Sequence, residues 1–159
     1  VDSDDGPGPQ LRARLGYLLK HAFFELEELH SVHLARGAVN VRELSVLLLL
    51  DGREPESQQQ AAGRLGVDRT TMVGLLDGLE GKGLLSRQPD PADRRRNVVV
   101  LTSAGRRALK DAKAASDRAE RELLADLSST EARQLRALLA RIVASSSSPA
   151  PSRDEDKRS

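Results

Sequence analysis

The sequence predicts a mainly α-helical protein carrying one small β-hairpin, on three observations. Apolar residues recur at spacings of three and four along most of the chain, the period of helices that each bury one face. Residues able to cap a helix stand just ahead of those stretches, which marks where each helix begins. Between Leu84 and Thr102 the period changes to two β-prone runs around a turn rich in Pro and Asp, the pattern of a hairpin with a long tip. The expected order is four helices, a hairpin and two helices.

Each element follows from local chemistry. Leu11, Leu15, Leu18, Ala22, Leu26 and Leu29 set a long amphipathic helix over about residues 10–35, with Gly37 placed to stop it. Asn40, with Glu43 three residues on, has the spacing of a reciprocal cap and opens a second helix through Leu44 and Leu47–Leu50, ending at Gly52. Ser57 and Gln60 repeat that spacing ahead of a short third helix, Gln58 to Leu65, which Gly66 breaks. Asp68 can cap a fourth helix from Arg69 to about Gly81. Leu84, Leu85 and Arg87 on one side and Asn97 to Thr102 on the other form the hairpin arms. Thr102 can cap a fifth helix over about 103–126, and Ser128 with Glu131 a sixth that holds Leu135, Leu138, Leu139 and Ile142.

Composition narrows the function classes. Tyr17, Phe23 and Phe24 are the aromatic residues, so the core must be built from Leu, Val and Ala, as in helix-on-helix packing. Cysteine is absent, which excludes disulfides, thiolate nucleophiles, thiol redox sensing and cysteine-bound zinc. No run approaches the roughly 18–20 apolar residues of a membrane span. The first ten residues are acidic and rich in Pro and Gly, with no basic and apolar pattern of a secretory leader, and the expected compartment is the cytoplasm. Residues 1–9 and 145–159 are expected to be disordered tails around a domain at 10–144. The net charge is only +1, but from Ser57 to Arg106 eight basic residues face five acidic ones. A basic band in an otherwise balanced chain points to a localised polyanion contact.

The band coincides with a recognisable constellation. Gln58 to Leu79 reads as a short helix, a tight Leu65-Gly66-Val67 turn and a capped second helix, with Ala61 and Ala62 small enough for close crossing. That is helix-turn-helix geometry, in which the second helix enters the major groove and its leading residues meet base edges. Here those residues are Asp68, Arg69, Thr70 and Thr71, while Val67, Met72, Leu75, Leu76 and Leu79 would face the core. Arg94, Arg95 and Arg96 follow Asp93 at the hairpin tip. Three adjacent arginines have no packing role there, but suit a wing that reaches along the DNA backbone or into the minor groove, with Asp93 holding one arginine in pose. A solvated helical hairpin with a charged loop is the plainer alternative, and the succession of the two motifs argues against it.

The segment Gly83 to Arg106 resembles the wing of the MarR family of winged helix-turn-helix regulators. The likeness lies in its Asp90-Pro91-Ala92-Asp93-Arg94-Arg95 tip and its exit through Leu101-Thr102 to Gly105. Ala61 to Val67, Arg69-Thr70-Thr71, Leu79-Glu80 and Lys82-Gly83-Leu84 are similar to that family as well. The likeness covers residues 10–145 in element order and is strong from about 58 to 106.

It implies a homodimer held by the first, fifth and sixth helices (10–36 and 103–144), with a DNA-binding lobe at 40–102. Two wings and two recognition helices would straddle a pseudo-palindromic operator, as in a repressor. Candidate contacts to double-stranded DNA are Ser57, Asp68, Arg69, Thr70, Thr71, Arg87, Asp93, Arg94, Arg95 and Arg96, with Asp93 as wing carboxylate and Arg95 as minor-groove arginine. Gly74 and Gly78 depart from the family pattern, where larger polar or basic residues are common.

Family members often bind small anionic or aromatic effectors between the dimerisation helices and the DNA-binding lobe. Tyr17, His21, Phe24 and Arg42 are the candidate lining residues, and each also suits a core or boundary position. His30 and His33, with Glu27 nearby, have a spacing that could hold zinc and equally suits helix-terminal histidines favoured by the dipole. No metal or cofactor is assigned. No metal cluster, phosphate loop or nucleophile elbow is legible, so an enzyme is not expected. The near-neutral total charge argues against a sequence-indifferent coating protein.

Overall fold

A computed structural model describes residues 8–52, 58–90, 93, 95 and 97–146. They fall into two compact units, one ending at Leu123 and one beginning at Leu124. The first holds α1 (Pro9–Arg12), α2 (Leu15–Leu34), α3 (Val41–Leu50), α4 (Gln58–Leu65), α5 (Arg69–Gly81), β1 (Leu85–Pro89), β2 (Asn97–Leu101) and α6 (Ser103–Leu123). The second holds α7 (Ser129–Ser146). No helix among the described residues is long and apolar enough to cross a membrane.

Among the described residues seven helices stand where six are expected, because the first is interrupted. Arg14 takes up extended backbone (φ −77°, ψ 132°) between α1 and α2. The three- and four-residue spacing of Leu11, Leu15 and Leu18 runs across the break, so periodicity cannot register it. Nothing in α1 is buried, and packing therefore does not hold that turn in line with α2. Helix α6 stops at Leu123, short of the expected end near 126, and a turn follows. Of the expected tails, residues 1–7 and 147–159 lie outside the described residues, whereas Pro9 starts α1 and Ser145 and Ser146 complete α7.

The caps form as their spacing requires. Asn40 and Glu43 make both halves of the capping box: the Glu43 N–H donates to Asn40 Oδ1 and the Asn40 N–H to Glu43 Oε2, each at 3.0 Å. Ser128 and Glu131 do the same ahead of α7, and hydrogen bonds from Ser128 hold the Glu131 carboxyl below its ordinary pKa. The Ser57 half of the third expected cap lies outside the described residues.

The core of the first unit is aliphatic. Val46, Leu47, Met72, Leu76 and Leu79 are its largest fully buried side chains, and α3 carries the centre, touching α2, α4, α5, α6 and β2. Helix α6 packs along α2 and against α3 with a buried row of Ala108, Ala112, Ala115 and Ala119. Such small side chains let helix axes approach closely. The predicted core face of α5 is present: Met72, Leu76 and Leu79 are buried, and Val67 and Leu75 pack against the core from its edge.

Glu43 is buried yet ionisable, and its charge is met. Lys82 Nζ donates to both Glu43 carboxylate oxygens at 2.8 Å and to the Ala38 carbonyl at 3.0 Å. A buried carboxylate without such partners would be costly. The same contacts tie the end of α5 to the first turn of α3, 39 residues away in sequence, and to the α2–α3 connection, 44 residues away.

Candidate nucleic-acid interface

Helices α4 and α5 meet through Gly66, whose φ of +64° a side chain would disfavour. Ala61 and Ala62 are buried on α4, which packs against α5 and α3. Asp68 then caps α5: the Thr71 N–H donates to Asp68 Oδ1 at 2.9 Å and the Thr71 hydroxyl to Oδ2 at 2.6 Å. The Thr71 hydroxyl hydrogen bond first, then the backbone N–H, hold the Asp68 carboxyl below its ordinary pKa.

A pH dependence follows. With its folded pKa depressed, the Asp68 cap stabilises α5 fully above the ordinary carboxylate range, and that stabilisation is lost as pH falls through the lowered value. Helix content at α5 should therefore hold to about pH 5 and decline only in stronger acid. In Asp68→Asn, which keeps an acceptor but cannot titrate, the Asp68 share of that acid loss should vanish. Circular dichroism across an acid titration of both proteins checks it.

The remaining leading residues point to solvent. Arg69, Thr70 and Thr71 are exposed, and so are Gly74, Asp77, Gly78 and Gly81 further along the same helix. The outward face of α5 is thus polar at its nose and nearly bare of side chains behind it. A methyl group at Gly74 would meet nothing within 4 Å. Asp68 and Thr71 are spent largely on each other, which leaves the side chains of Arg69 and Thr70 as the nose groups not engaged in the cap.

The hairpin starts at Gly83, whose φ is +70°. Its strands pair antiparallel from Leu85 opposite Leu101 to Pro89 opposite Asn97. Thr102 pins the root: its N–H donates to the Leu84 carbonyl at 3.1 Å. Its hydroxyl hydrogen is shared between the carbonyls of Gly83 (2.8 Å) and Leu84 (3.2 Å). The same hydroxyl accepts the Gly105 N–H at 3.0 Å, so one threonine caps α6 and closes the wing.

At the tip, Asp93 Oδ1 accepts the backbone N–H of Arg95 at 3.0 Å. Asp93 therefore organises the turn backbone that carries Arg95. Arg95 itself is exposed. Ser57, Arg94 and Arg96 lie outside the described residues.

Arg87 is placed differently from the other candidate contacts. On β1 it turns back onto α5, with Nη2 donating to Asp77 Oδ1 at 2.5 Å and Nη1 donating to Glu80 Oε2. Periodicity and motif reading missed this link, because neither assigns partners to exposed acids on a helix and a basic residue on the next strand.

The four candidate effector residues are only partly brought together. Tyr17 and His21 meet tilted with centroids 4.1 Å apart, His21 meets Phe24 edge-on at 6.5 Å, and Lys20 Nζ lies 5.5 Å over the Phe24 ring. Arg42 is exposed on α3 and takes no part in that cluster. An open cavity of about 460 Å³ lies elsewhere, between the end of α2 and the start of α3, bordered by Glu27, His30, Leu34, Val39, Glu43 and Lys82. The two histidines bond to α6 separately: His30 Nε2 lies 2.9 Å from Ser116 Oγ and His33 Nε2 2.8 Å from Glu122 Oε2.

The lobe from the α3 cap to the wing tip, residues 39–96, matches the model of the MarR family. The uncharacterised HTH-type transcriptional regulator YdgJ of Bacillus subtilis (strain 168) is 33% identical over 104 residues, 65% of this chain. The chain spans 63% of the length of that relative. The structure is similar to a MarR-family transcriptional regulator from Rhodococcus sp. RHA1, at 32% identity and a TM-score of 0.76 over 85% of this chain and 97% of that one. It is also similar to CouR in two states. The repressor bound to a 23-mer DNA duplex is 36% identical, with a TM-score of 0.78 over 85% of this chain and 96% of that one. CouR from Rhodococcus jostii RHA1 with p-coumaroyl-CoA is 33% identical, with a TM-score of 0.74 over 85% and 95%. A glycine-turned pair of helices, a pinned hairpin beside them and sequence identity above 30% along nearly the whole length of those solved regulators have one reading: the chain belongs to the MarR family.

Proposed function

We propose that the protein is a sequence-specific DNA-binding repressor that grips a pseudo-palindromic operator as a homodimer and is released by a small ligand. The observation that carries this reading is the pairing of a capped, polar-nosed α5 with a hairpin whose tip presents Arg95, both in one compact unit. Arg69 and Thr70 would meet base edges or phosphates in the major groove, and Arg95 the minor groove. The DNA-bound form of CouR supports the partner, and its p-coumaroyl-CoA-bound form supports a small effector. No catalytic role is proposed, and the cytoplasm is the compartment that suits a regulator of genes.

A second copy is supported by what α2 leaves uncovered. Leu15, Leu18, Leu19 and Phe23 remain between 44% and 64% exposed within the chain, an apolar row of the kind that marks an interaction surface. In α7, Leu138, Ile142 and Val143 are exposed as well.

Selection of bound sequences from a random duplex pool at about 150 mM salt tests the reading, since backbone-only binding weakens steeply with salt. The expected result is an inverted repeat with half-sites about one helical turn apart. A pool that stays random would leave only sequence-indifferent binding.

The bare face of α5 yields a second test. Gly74→Ala should stabilise the protein by up to about 1 kcal/mol, because alanine favours the helix and its methyl meets open space. If that face lies against DNA, the same methyl should lower operator affinity. A rise in melting temperature with loss of binding is the expected pair of results; a rise with unchanged binding would turn the glycine face away from the groove.

A further inference from the structure

We infer that Arg87 is a positioning residue: it fixes the wing against α5 through Asp77 and Glu80, and does not hold a phosphate. The inference rests on the DNA-binding reading above. Both terminal nitrogens of the guanidinium are already engaged by carboxylates of α5, and the side chain is only 24% exposed. A phosphate would have to displace two anions to reach it.

The location explains why such a link is needed. A two-stranded ribbon is marginal by itself and free to twist. Here Thr102 pins the root, but one anchor leaves the ribbon able to swing. Arg87 sits on the middle rung, opposite Val99, which is buried in the core. Root and middle rung together define a direction. At about 3.4 Å per residue, Pro89 lies twice as far from Leu85 as Arg87 does. Any sway permitted at the middle rung is thus doubled at the strand end and larger at Arg95.

The double substitution Asp77→Asn with Glu80→Gln separates clamp from phosphate binding by the sign of its effect. It removes two negative charges near DNA and frees the guanidinium. If Arg87 held phosphate, affinity for the selected duplex should rise. For a clamp, affinity should fall by about fivefold or more, the scale of coupling between residues in one ion-pair network. Arg87→Gln added to that background should then cost nothing further. Nor should Arg87→Gln alone change the slope of log affinity against log salt, which shifts by about 0.9 for each phosphate no longer neutralised by the protein. Tighter binding of the double variant, or a slope shallower by about one in Arg87→Gln, would overturn the inference and make Arg87 a DNA-backbone ligand. Wild-type protein assayed in parallel separates the two levels: if it binds no duplex, the DNA-binding reading has failed and not the clamp alone. Thermal melting of each variant keeps a folding defect from passing for a binding one.

Discussion

Gly105→Ala should destabilise the protein by about 3 kcal/mol, at the upper end for an added methyl group because backbone, not a side chain, must yield. Gly105 is buried in the first turn of α6, and a Cβ there would overlap the Leu84 carbonyl oxygen and lie 3.0 Å from its carbon. That carbonyl cannot retreat freely. It accepts the Thr102 N–H and shares the Thr102 hydroxyl, which in turn accepts the Gly105 N–H. Moving it would loosen the α6 cap and the wing root together. For a chain of this size the loss corresponds to a fall in melting temperature of about 10 °C, readable by calorimetry or urea denaturation. Gly74→Ala serves as the internal control, since the same added methyl group there meets space and should have the opposite sign. A Gly105→Ala protein that melts with the wild type would mean that α6 does not enter the hairpin root this closely.

Gly105 also marks the boundary of what was legible in the sequence. Its place in the Leu-Thr-x-x-Gly wing exit is visible as a motif, but the reason is its approach to Leu84, distant along the chain, which no local pattern encodes. Local chemistry was readable almost throughout. Asn40 with Glu43, Asp68, and Ser128 with Glu131 cap the helices at which their spacing placed them. The hairpin forms at the β-prone runs, although β1 continues through Gln88 and Pro89, two residues into the stretch expected as turn. Three kinds of feature were not readable. An extended residue at Arg14 leaves the apolar spacing intact, so one expected helix became two. Side-chain partners distant along the chain, such as Lys82 on Glu43 and Arg87 on Asp77 and Glu80, obey no period. The aromatic group on α2 is legible as residue types, but not its separation from Arg42 and from the cavity at the α2–α3 connection.

Arg95→Ala should weaken binding to the selected duplex by roughly 1–3 kcal/mol, or about 5- to 150-fold, and leave melting temperature and oligomeric state unchanged. The two halves of that expectation have separate causes. Stability should not move because Arg95 is exposed and, among the described residues, no ion pair engages its guanidinium. Exposed substitutions of that kind stay within about 0.5 kcal/mol. Binding should move because Asp93 fixes the backbone at Arg95 while leaving its head group outward, so little ordering remains to be done when the tip meets DNA. A guanidinium entering a narrow minor groove finds an enhanced negative potential there and is itself weakly hydrated. Arg95→Lys sharpens the test, since lysine keeps the charge but not the flat fork and should recover only part of the missing affinity. Titration of each variant against the selected duplex at one fixed salt concentration measures both effects. Wild-type affinity in Arg95→Ala would take the wing tip out of the interface. The operator would then have to be read by Arg69 and Thr70 alone, on a helix whose remaining outward face is mostly glycine, and that is too few side chains to distinguish one site among many.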